Sequence, residues 1–192
     1  KIASHKTCGG VIVQLPLPDP INPQYVLNAI PREKDVDVLG ERALGAFYAN
    51  RNPALPPAVA AVDAILKTLN LKLETASVAV IGLGFLVGRP ISLWLERKCG
   101  NLYLLRRGSD FSILMQADLV ITGTGSPHLF SAEDAKDDAI VIDFGYGKLD
   151  GKITGDFDPS LLKTSAGGGS AIGGKNHKLE TISYTPTPGG TG

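Results

Sequence analysis

Three glycines, Gly82, Gly84 and Gly88, follow the apolar run Val78–Ile81 in a G-x-G-x-x-x-G spacing, and a helix-forming stretch opens at Arg89-Pro90. A strand, a glycine turn and a helix in this order let a backbone lie against the pyrophosphate of a dinucleotide. Gly82 permits the tight turn, Gly84 removes the Cβ that would obstruct a phosphate, and Gly88 lets the helix pack closely. The helix N-terminus adds unpaired N–H groups and a partial positive charge. Leu83 sits between the first two glycines. The spacing is one residue longer than the commonest fingerprint, and a plain structural turn is the competing reading.

Arg106 and Arg107 close the next apolar run, Asn101–Leu105. Dinucleotide folds commonly place an acidic residue there for the ribose hydroxyls of NAD, whereas arginine accommodates the 2′-phosphate of NADP. Two solvated arginines are the alternative. Gly123-Thr124-Gly125 follows a third run, Leu119–Thr122, and is placed to pass beside the cofactor or to form an ordinary loop. Two polar groups stand out upstream. Gln14 interrupts the apolar run Val11–Leu15, where a strand-buried amide needs a hydrogen-bonding partner, if only neighbouring backbone. Asp35 and Asp37 lie in a charged stretch, Arg32-Glu-Lys-Asp-Val-Asp37, in which Asp35 reads as the solvated member.

Nothing else in the chain assembles a reactive centre. His5, His128 and His177 lie in loop-like or terminal sequence without a Cys or carboxylate at metal-ligand spacing. No G-x-S-x-G nucleophile motif is present. Cys8 and Cys99 are far apart and read as two reduced thiols, which makes the cytoplasm the default compartment. Lys plus Arg and Asp plus Glu are 19 each, so no net field attracts nucleic acid or an anionic membrane. No apolar run approaches the roughly 18 residues of a membrane span.

The elements that would hold these residues alternate. Val78–Ile81, Asn101–Leu105, Leu119–Thr122 and Ile140–Asp143 are short continuous apolar runs, with helices expected to begin near Arg89, Phe111 and Ala132. Trp94, with Leu93 and Leu95, reads as helix packing. Such alternation implies an α/β fold with a buried parallel sheet and right-handed crossovers. Upstream, Val11–Leu15 reads as a strand, and Asn22-Pro23 supplies a cap and first-turn proline for a helix over Gln24–Ile30. Asn52–Pro57, with three prolines, reads as a hinge or a domain boundary, and Val59, Val62, Ile65, Leu66 and Leu69 have helical spacing up to Asn70. Ser165–Lys178 is glycine-rich and reads as a loop.

Six segments occur in one order: Gly10-Val-Ile-Val-Gln-Leu-Pro-Leu-Pro18, Lys34-Asp-Val-Asp37, the turn ending Val87-Gly88-Arg89-Pro90, Gly123-Thr-Gly-Ser-Pro127, Val141-Ile-Asp-Phe-Gly145 and Thr185-Pro-Thr-Pro-Gly-Gly190. In these the chain resembles the methylenetetrahydrofolate dehydrogenase/cyclohydrolase family over nearly its whole length. The resemblance implies a Rossmann-like parallel-sheet domain for NADP and part of a smaller α/β substrate domain. The corresponding division is 1–50 for the partial folate domain, 51–180 for the NADP domain and 181–192 for a return segment toward the folate domain. It further implies oxidation of 5,10-methylenetetrahydrofolate, hydrolysis of the methenyl product to 10-formyltetrahydrofolate, and a homodimer.

By the same resemblance Gln14 matches the strand glutamine that tunes the catalytic lysine, flanked by Val13 and Leu15 in the substrate site. Asp37 matches the carboxylate that holds the pterin. Pro188, Gly189 and Gly190 match the folate-side loop, against which a frayed terminus is the bland alternative. Tyr146 matches the position whose backbone meets the nicotinamide, and a buried aromatic filler is its alternative. Gly82, Leu83, Gly84, Gly88, Arg106, Arg107, Thr124 and Gly125 complete the cofactor set.

The pattern also departs from the family. Val38 stands where a glycine is usual, Pro53-Ala-Leu-Pro56 replaces Pro-Cys-Thr-Pro, Gly82-Leu-Gly84 replaces Gly-Arg-Ser, and Arg106-Arg107 replaces His-Ser. The family's tyrosine and catalytic lysine lie upstream of the Gln-Leu-Pro-Leu-Pro strand, and the family continues into a further helix after Gly192. The opening Lys1-Ile-Ala-Ser-His-Lys6 reads like the interior of a larger protein. A dinucleotide-binding module without catalysis is therefore the alternative to the bifunctional enzyme.

Overall fold

The computed structural model describes residues 2–69, 71–162 and 182–191. The glycine-rich Ser165–Lys178 and His177 lie outside the described residues. The chain divides into two compact units, Lys1–Ala64 and Ile65–Gly192.

In the first unit, α1 (Pro23–Asn28) starts as its sequence dictates. The Asn22 side chain accepts from Gln24 N at 3.0 Å and Tyr25 N at 3.4 Å, and Pro23 occupies the first turn. It ends two residues before the predicted Ile30 because Pro31 disfavours helical backbone in the residue before it. Ala29 and Ile30 instead donate in tighter three-residue turns to Val26 O and Leu27 O. A 3-10 turn over Arg32–Lys34 leads to α2 (Glu41–Tyr48), which buries Ala43 and Phe47 four residues apart on one face. Sequence reasoning did not name α2. The helix α3 (Pro57–Leu69), which begins in the first unit and ends in the second, fills the predicted span to within a residue and buries Val59, Val62 and Leu66.

Val11–Leu15 is not a strand. Val11 N donates to Lys34 O at 2.8 Å and forms one isolated bridge to Asp35, and the ladder goes no further. An apolar run becomes a strand only where a partner supplies alternate hydrogen bonds, and Pro16 and Pro18 offer no N–H to extend one. Ile12 is accordingly 68% exposed.

The second unit is built on five parallel strands: β1 (Ser77–Ile81), β2 (Asn101–Leu105), β3 (Leu119–Thr122), β5 (Ile140–Asp143) and β9 (Ser183–Tyr184), in the order β2-β1-β3-β5-β9. The register aligns Ala79, Val120 and Val141 on one face and Val80, Ile121 and Ile142 on the other. Both faces of the central strands are buried, which is why these runs are continuously apolar. One face packs against Leu114, Ala117, Phe130, Ala139, Phe157 and Ile182.

Of the three predicted helices only α4 (Gly88–Leu95) is an α-helix. Phe111–Gln116 and Ala132–Asp134 are 3-10 turns. Asp110 caps Ser112 N at 2.9 Å, and six of the eight residues between it and β3 form the 3-10 segment that buries Leu114. Around the sheet, β4 (Phe130–Ser131) pairs with β8 (Phe157–Asp158), and β6 (Gly147–Leu149) with β7 (Lys152–Thr154). The β6–β7 hairpin turns on Asp150 and Gly151, both at positive φ, as a two-residue Asp-Gly turn requires.

Candidate functional site

The carboxyl ends of β1, β2 and β3 open onto a groove of about 540 Å³. Ile81, Gly82 and Gly84 line it from the first strand, Arg106, Arg107, Gly108 and Ser109 from the second, and Gly123, Thr124 and Ser126 from the third. Open α/β sheets bind ligands at this end. Six residues singled out in the sequence therefore share one wall system: Gly82, Gly84, Arg106, Arg107, Gly123 and Thr124.

The three turn glycines do different work. Gly82 has φ +85, and a Cβ there would meet Thr124 Cγ2 at 2.8 Å. A Cβ on Gly88 would collide with Gly82 O and lie 2.8 Å from Gly82 C, so Gly88 closes the turn against backbone. Nothing lies within 4 Å of a Cβ built on Gly84. Gly84 is thus a glycine that the fold does not need and the groove can use. Leu83 turns its carbonyl to Arg89 Nε at 3.1 Å, and its side chain is not part of the lining.

The helix N-terminus offers less than its sequence suggests. Arg89 N donates to Gly84 O at 3.0 Å, Pro90 has no N–H, and Ile91 N donates to Val87 O. Little donor capacity of the first turn of α4 remains for an anion. Positive charge comes instead from Arg106 and Arg107, both exposed at the groove's edge, with Arg106 N fixed by Ser109 Oγ at 3.0 Å.

The third wall is set by a buried carboxylate that sequence reasoning missed. Asp156 is fully buried and accepts from Thr122 Oγ1 at 2.6 Å, Thr124 N at 2.7 Å and Ser126 N at 2.8 Å. The available signal was an acid between Gly155 and Phe157, too apolar a setting for a solvated charge. Gly125 has φ +68, and its Cβ would touch Tyr146 O at 3.4 Å, which brings these two predicted residues together. Tyr146 is 59% exposed, so it is not a buried aromatic filler. Trp94 is half-buried on α4, with Lys98 Nζ 5.0 Å above its ring.

Asp143, at the end of β5, accepts from Gly145 N at 2.6 Å and Phe157 N at 2.9 Å. Burial pushes its carboxyl up to about 6, with the Asp156 charge adding to the rise, against the lowering pull of those two N–H groups. The folded state then holds this proton more tightly than the unfolded chain. The group's contribution to stability is full below about pH 4 and is lost as pH rises through 6, about 3 kcal/mol in all. A carboxyl-detected NMR titration is expected to place Asp143 near 6; a midpoint below 4 would refute this reading.

The first unit carries the upstream candidates Gln14, Asp35 and Asp37. Asp35, not Asp37, is the buried carboxylate: it is 3% exposed and accepts from Gly40 N at 2.8 Å and Leu39 N at 3.1 Å. A charged run looks solvated in sequence, but the turn at Val38 aims two backbone N–H groups inward and they need an acceptor. Val38 makes that turn at φ 56, in the left-handed region that glycine occupies readily. Asp37 is half-buried, and its carboxyl is raised by burial first and by the neighbouring Asp35 charge second. Gln14 is exposed rather than strand-buried, with Nε2 donating to Leu15 O at 3.0 Å, while Val13 and Leu15 are half-buried.

In the second unit Pro188, Gly189 and Gly190 are exposed, and Gly189 has φ +102. The following Thr191 Oγ1 donates to Asp143 O, which ties this loop to the end of β5.

Residues 56–192 match the model of the tetrahydrofolate dehydrogenase/cyclohydrolase NAD(P)-binding domain. The chain is 34% identical over 197 residues to the bifunctional protein FolD of Limosilactobacillus reuteri, covering all of this chain and 64% of that protein. It is 34% identical to FolD of Aquifex aeolicus over 95% of this chain and 59% of the relative. Among solved structures, the FolD enzyme of Campylobacter jejuni superposes with a TM-score of 0.83 at 30% identity, covering 99% of this chain and 64% of that one. The Trypanosoma brucei enzyme, solved with NADP cofactor and inhibitor, gives 0.80 at 26% identity, covering 99% and 63%. The chain thus spans somewhat less than two thirds of the length of the curated relatives it matches. With its six ordered motifs, its parallel sheet and its glycine-walled groove, the chain belongs to the tetrahydrofolate dehydrogenase/cyclohydrolase family.

Proposed function

We propose that the groove at the carboxyl ends of β1, β2 and β3 binds NADP and that the protein oxidises 5,10-methylenetetrahydrofolate, with hydrolysis of the methenyl product as its second activity. The observation that carries the cofactor reading is Gly84: it lines the groove, and the space its missing Cβ would fill is open. The groove's volume, about 540 Å³, is in the range of small-molecule sites. The residues present fit the group. Gly82, Leu83 and Gly84 would face the pyrophosphate with backbone, Arg106 and Arg107 the 2′-phosphate, and Thr124, Gly125 and the Tyr146 backbone the nicotinamide half. NADP bound there supplies a hydride acceptor.

The chain's own contribution is then placement more than acid–base chemistry. Backbone walls at 82–84 and 123–126 admit a planar ring system and an anion, and the two arginines fix which dinucleotide enters. Asp37 is assigned to the pterin and Gln14 to the partner of a catalytic lysine, with Val13, Leu15 and Pro188–Gly190 as further folate contacts. These roles are carried over from the family. In the same proposal, residues 1–50 belong to the folate domain, 51–180 to the NADP domain and 181–192 to a return segment. It also includes a homodimer in the cytoplasm. The two free thiols, Cys8 and Cys99, support a reducing compartment.

A binding module without turnover is the second reading, favoured by Leu83 and Gly84 where the family has Arg-Ser, and by Val38 where it has glycine. The test is an NADP+ titration followed by a turnover assay with 5,10-methylenetetrahydrofolate. Saturable NADP+ binding with reduction at 340 nm is expected. Binding without reduction selects the module, and no binding overturns both.

A further inference from the structure

Two buried carboxylates meet where the sheet hands its loops to the groove. Asp156, on the segment leading into β8, takes the Thr122 hydroxyl and the Thr124 N–H on Oδ2 and the Ser126 N–H on Oδ1. Three bonds, all within 2.8 Å, therefore fix five consecutive residues between β3 and the groove. Thr124 and Ser126 are themselves groove lining; Thr122 and Asp156 are not.

Asp143 performs the reciprocal task. Its carboxylate receives Gly145 N and Phe157 N, its own N–H donates to Thr185 Oγ1 at 2.8 Å, and its carbonyl receives Thr191 Oγ1. The two acids reach this close because glycine stands opposite each. A Cβ on Gly145 would collide with the Asp156 carboxylate, and one on Gly155 with that of Asp143. Neither carboxylate is paired with a cation by these bonds, and a core packing role would be served as well by an apolar residue. What the acids accept, an apolar residue could not: the backbone N–H groups of a loop that must stay in one conformation.

We propose that Asp156, with Thr122 as its hydroxyl partner, is a positioning residue of the dinucleotide site, holding the 123–126 backbone in the conformation that lines the groove. The proposal rests on the reading of that groove as an NADP site. Removing the Thr122 hydroxyl takes away the bond that fixes the Asp156 carboxylate from β3, so the carboxylate holds the Thr124 and Ser126 N–H groups less firmly. The 123–126 wall then has to be ordered by the ligand, and binding weakens by that ordering cost.

The experiment compares wild type with Asp156→Asn, Thr122→Val and Thr122→Ser. NADP+ affinity is measured by calorimetry, and amide exchange of Thr124 and Ser126 by NMR. Asp156→Asn and Thr122→Val are each expected to weaken NADP+ binding about tenfold and to speed exchange at Thr124 and Ser126 by a similar factor. The amides of β1 and β5 are expected to stay protected. Thr122→Ser, which keeps the hydroxyl and loses only a methyl, is expected to bind NADP+ within about threefold of wild type.

Should the Asp156 variant fail to fold, its carboxylate being fully buried, the Thr122 pair decides. Thr122→Val binding NADP+ like wild type, or Thr122→Ser failing as badly as Thr122→Val, overturns the proposal, because the hydroxyl is then not what matters. A wild-type protein that does not bind NADP+ overturns the dinucleotide reading itself, and that outcome is visible before any variant is made.

Discussion

Gly88→Ala is expected to destabilise the second unit, whereas Gly84→Ala, four residues away in the same turn, leaves its stability intact and weakens cofactor binding. At position 88 the added carbon would overlap Gly82 O and sit 3.0 Å from Leu83 Cα. Both are backbone atoms, and Gly82 is already committed to φ +85 by the turn. The clash cannot be relieved by a rotamer change. Relief would require α4 to move away from β1, and α4 buries Ile91 and Leu95 completely. Overpacking against fixed neighbours costs about 1–3 kcal/mol and sometimes more. With backbone on both sides of the clash, the upper end is expected here. For a chain of this size that corresponds to a fall in Tm of roughly 10 °C.

At position 84 a Cβ meets open space, and the substitution is expected to stay within about 0.5 kcal/mol of wild type. The same methyl stands in the groove where a phosphate would approach, and NADP+ affinity is expected to fall tenfold or more. Thermal denaturation and NADP+ titration of the two variants check both halves. Equal loss of stability would mean that the turn is structural throughout; unchanged NADP+ affinity in Gly84→Ala would remove the phosphate from this wall.

This contrast was legible in the sequence only in part. The four main strands were readable to within a residue because each is a run of four or five mostly apolar residues, and a sheet buried on both faces demands such runs. The helices were less readable. Phe111–Gln116 and Ala132–Asp134 begin like helices, each behind a capping residue, Asp110 and Ser131, but both are 3-10 turns. The run Val11–Leu15 shows the converse: a good strand composition without a ladder to join.

The buried acids were hardest to see. Asp35 and Asp156 are buried because loop N–H groups converge on them, and convergence of backbone donors leaves no periodic trace. Glycines show the same limit. All three turn glycines fit the fingerprint alike, and only the positions of surrounding atoms separate Gly88, which the fold requires, from Gly84, which it does not.

Arg106→Ala/Arg107→Ala is expected to abolish the preference for NADP over NAD. Both guanidinium groups line the end of β2, where the chain turns through Gly108 at φ +83. Among the described residues neither is engaged in an ion pair, so each is available to an incoming dianion. Leu83, inside the glycine turn, has no side-chain donor for a phosphate, which leaves this pair as the cationic feature of the groove lining. A charge-assisted hydrogen bond contributes about 1.5–3 kcal/mol when well formed, and less when solvent screens it as it does here.

Removing both guanidinium groups at once predicts a fall of about a hundredfold in NADP+ affinity. NAD+ affinity should move by no more than about threefold, since NAD carries no 2′-phosphate for the pair to hold. The NADP+ constant should also lose most of its dependence on salt, because the exposed charges that salt screens are gone. Titrations of both dinucleotides at low and physiological ionic strength read all three effects. A double variant that still prefers NADP would place the 2′-phosphate elsewhere. Parallel losses for NADP and NAD would mean that the arginines shape the groove rather than choose its ligand.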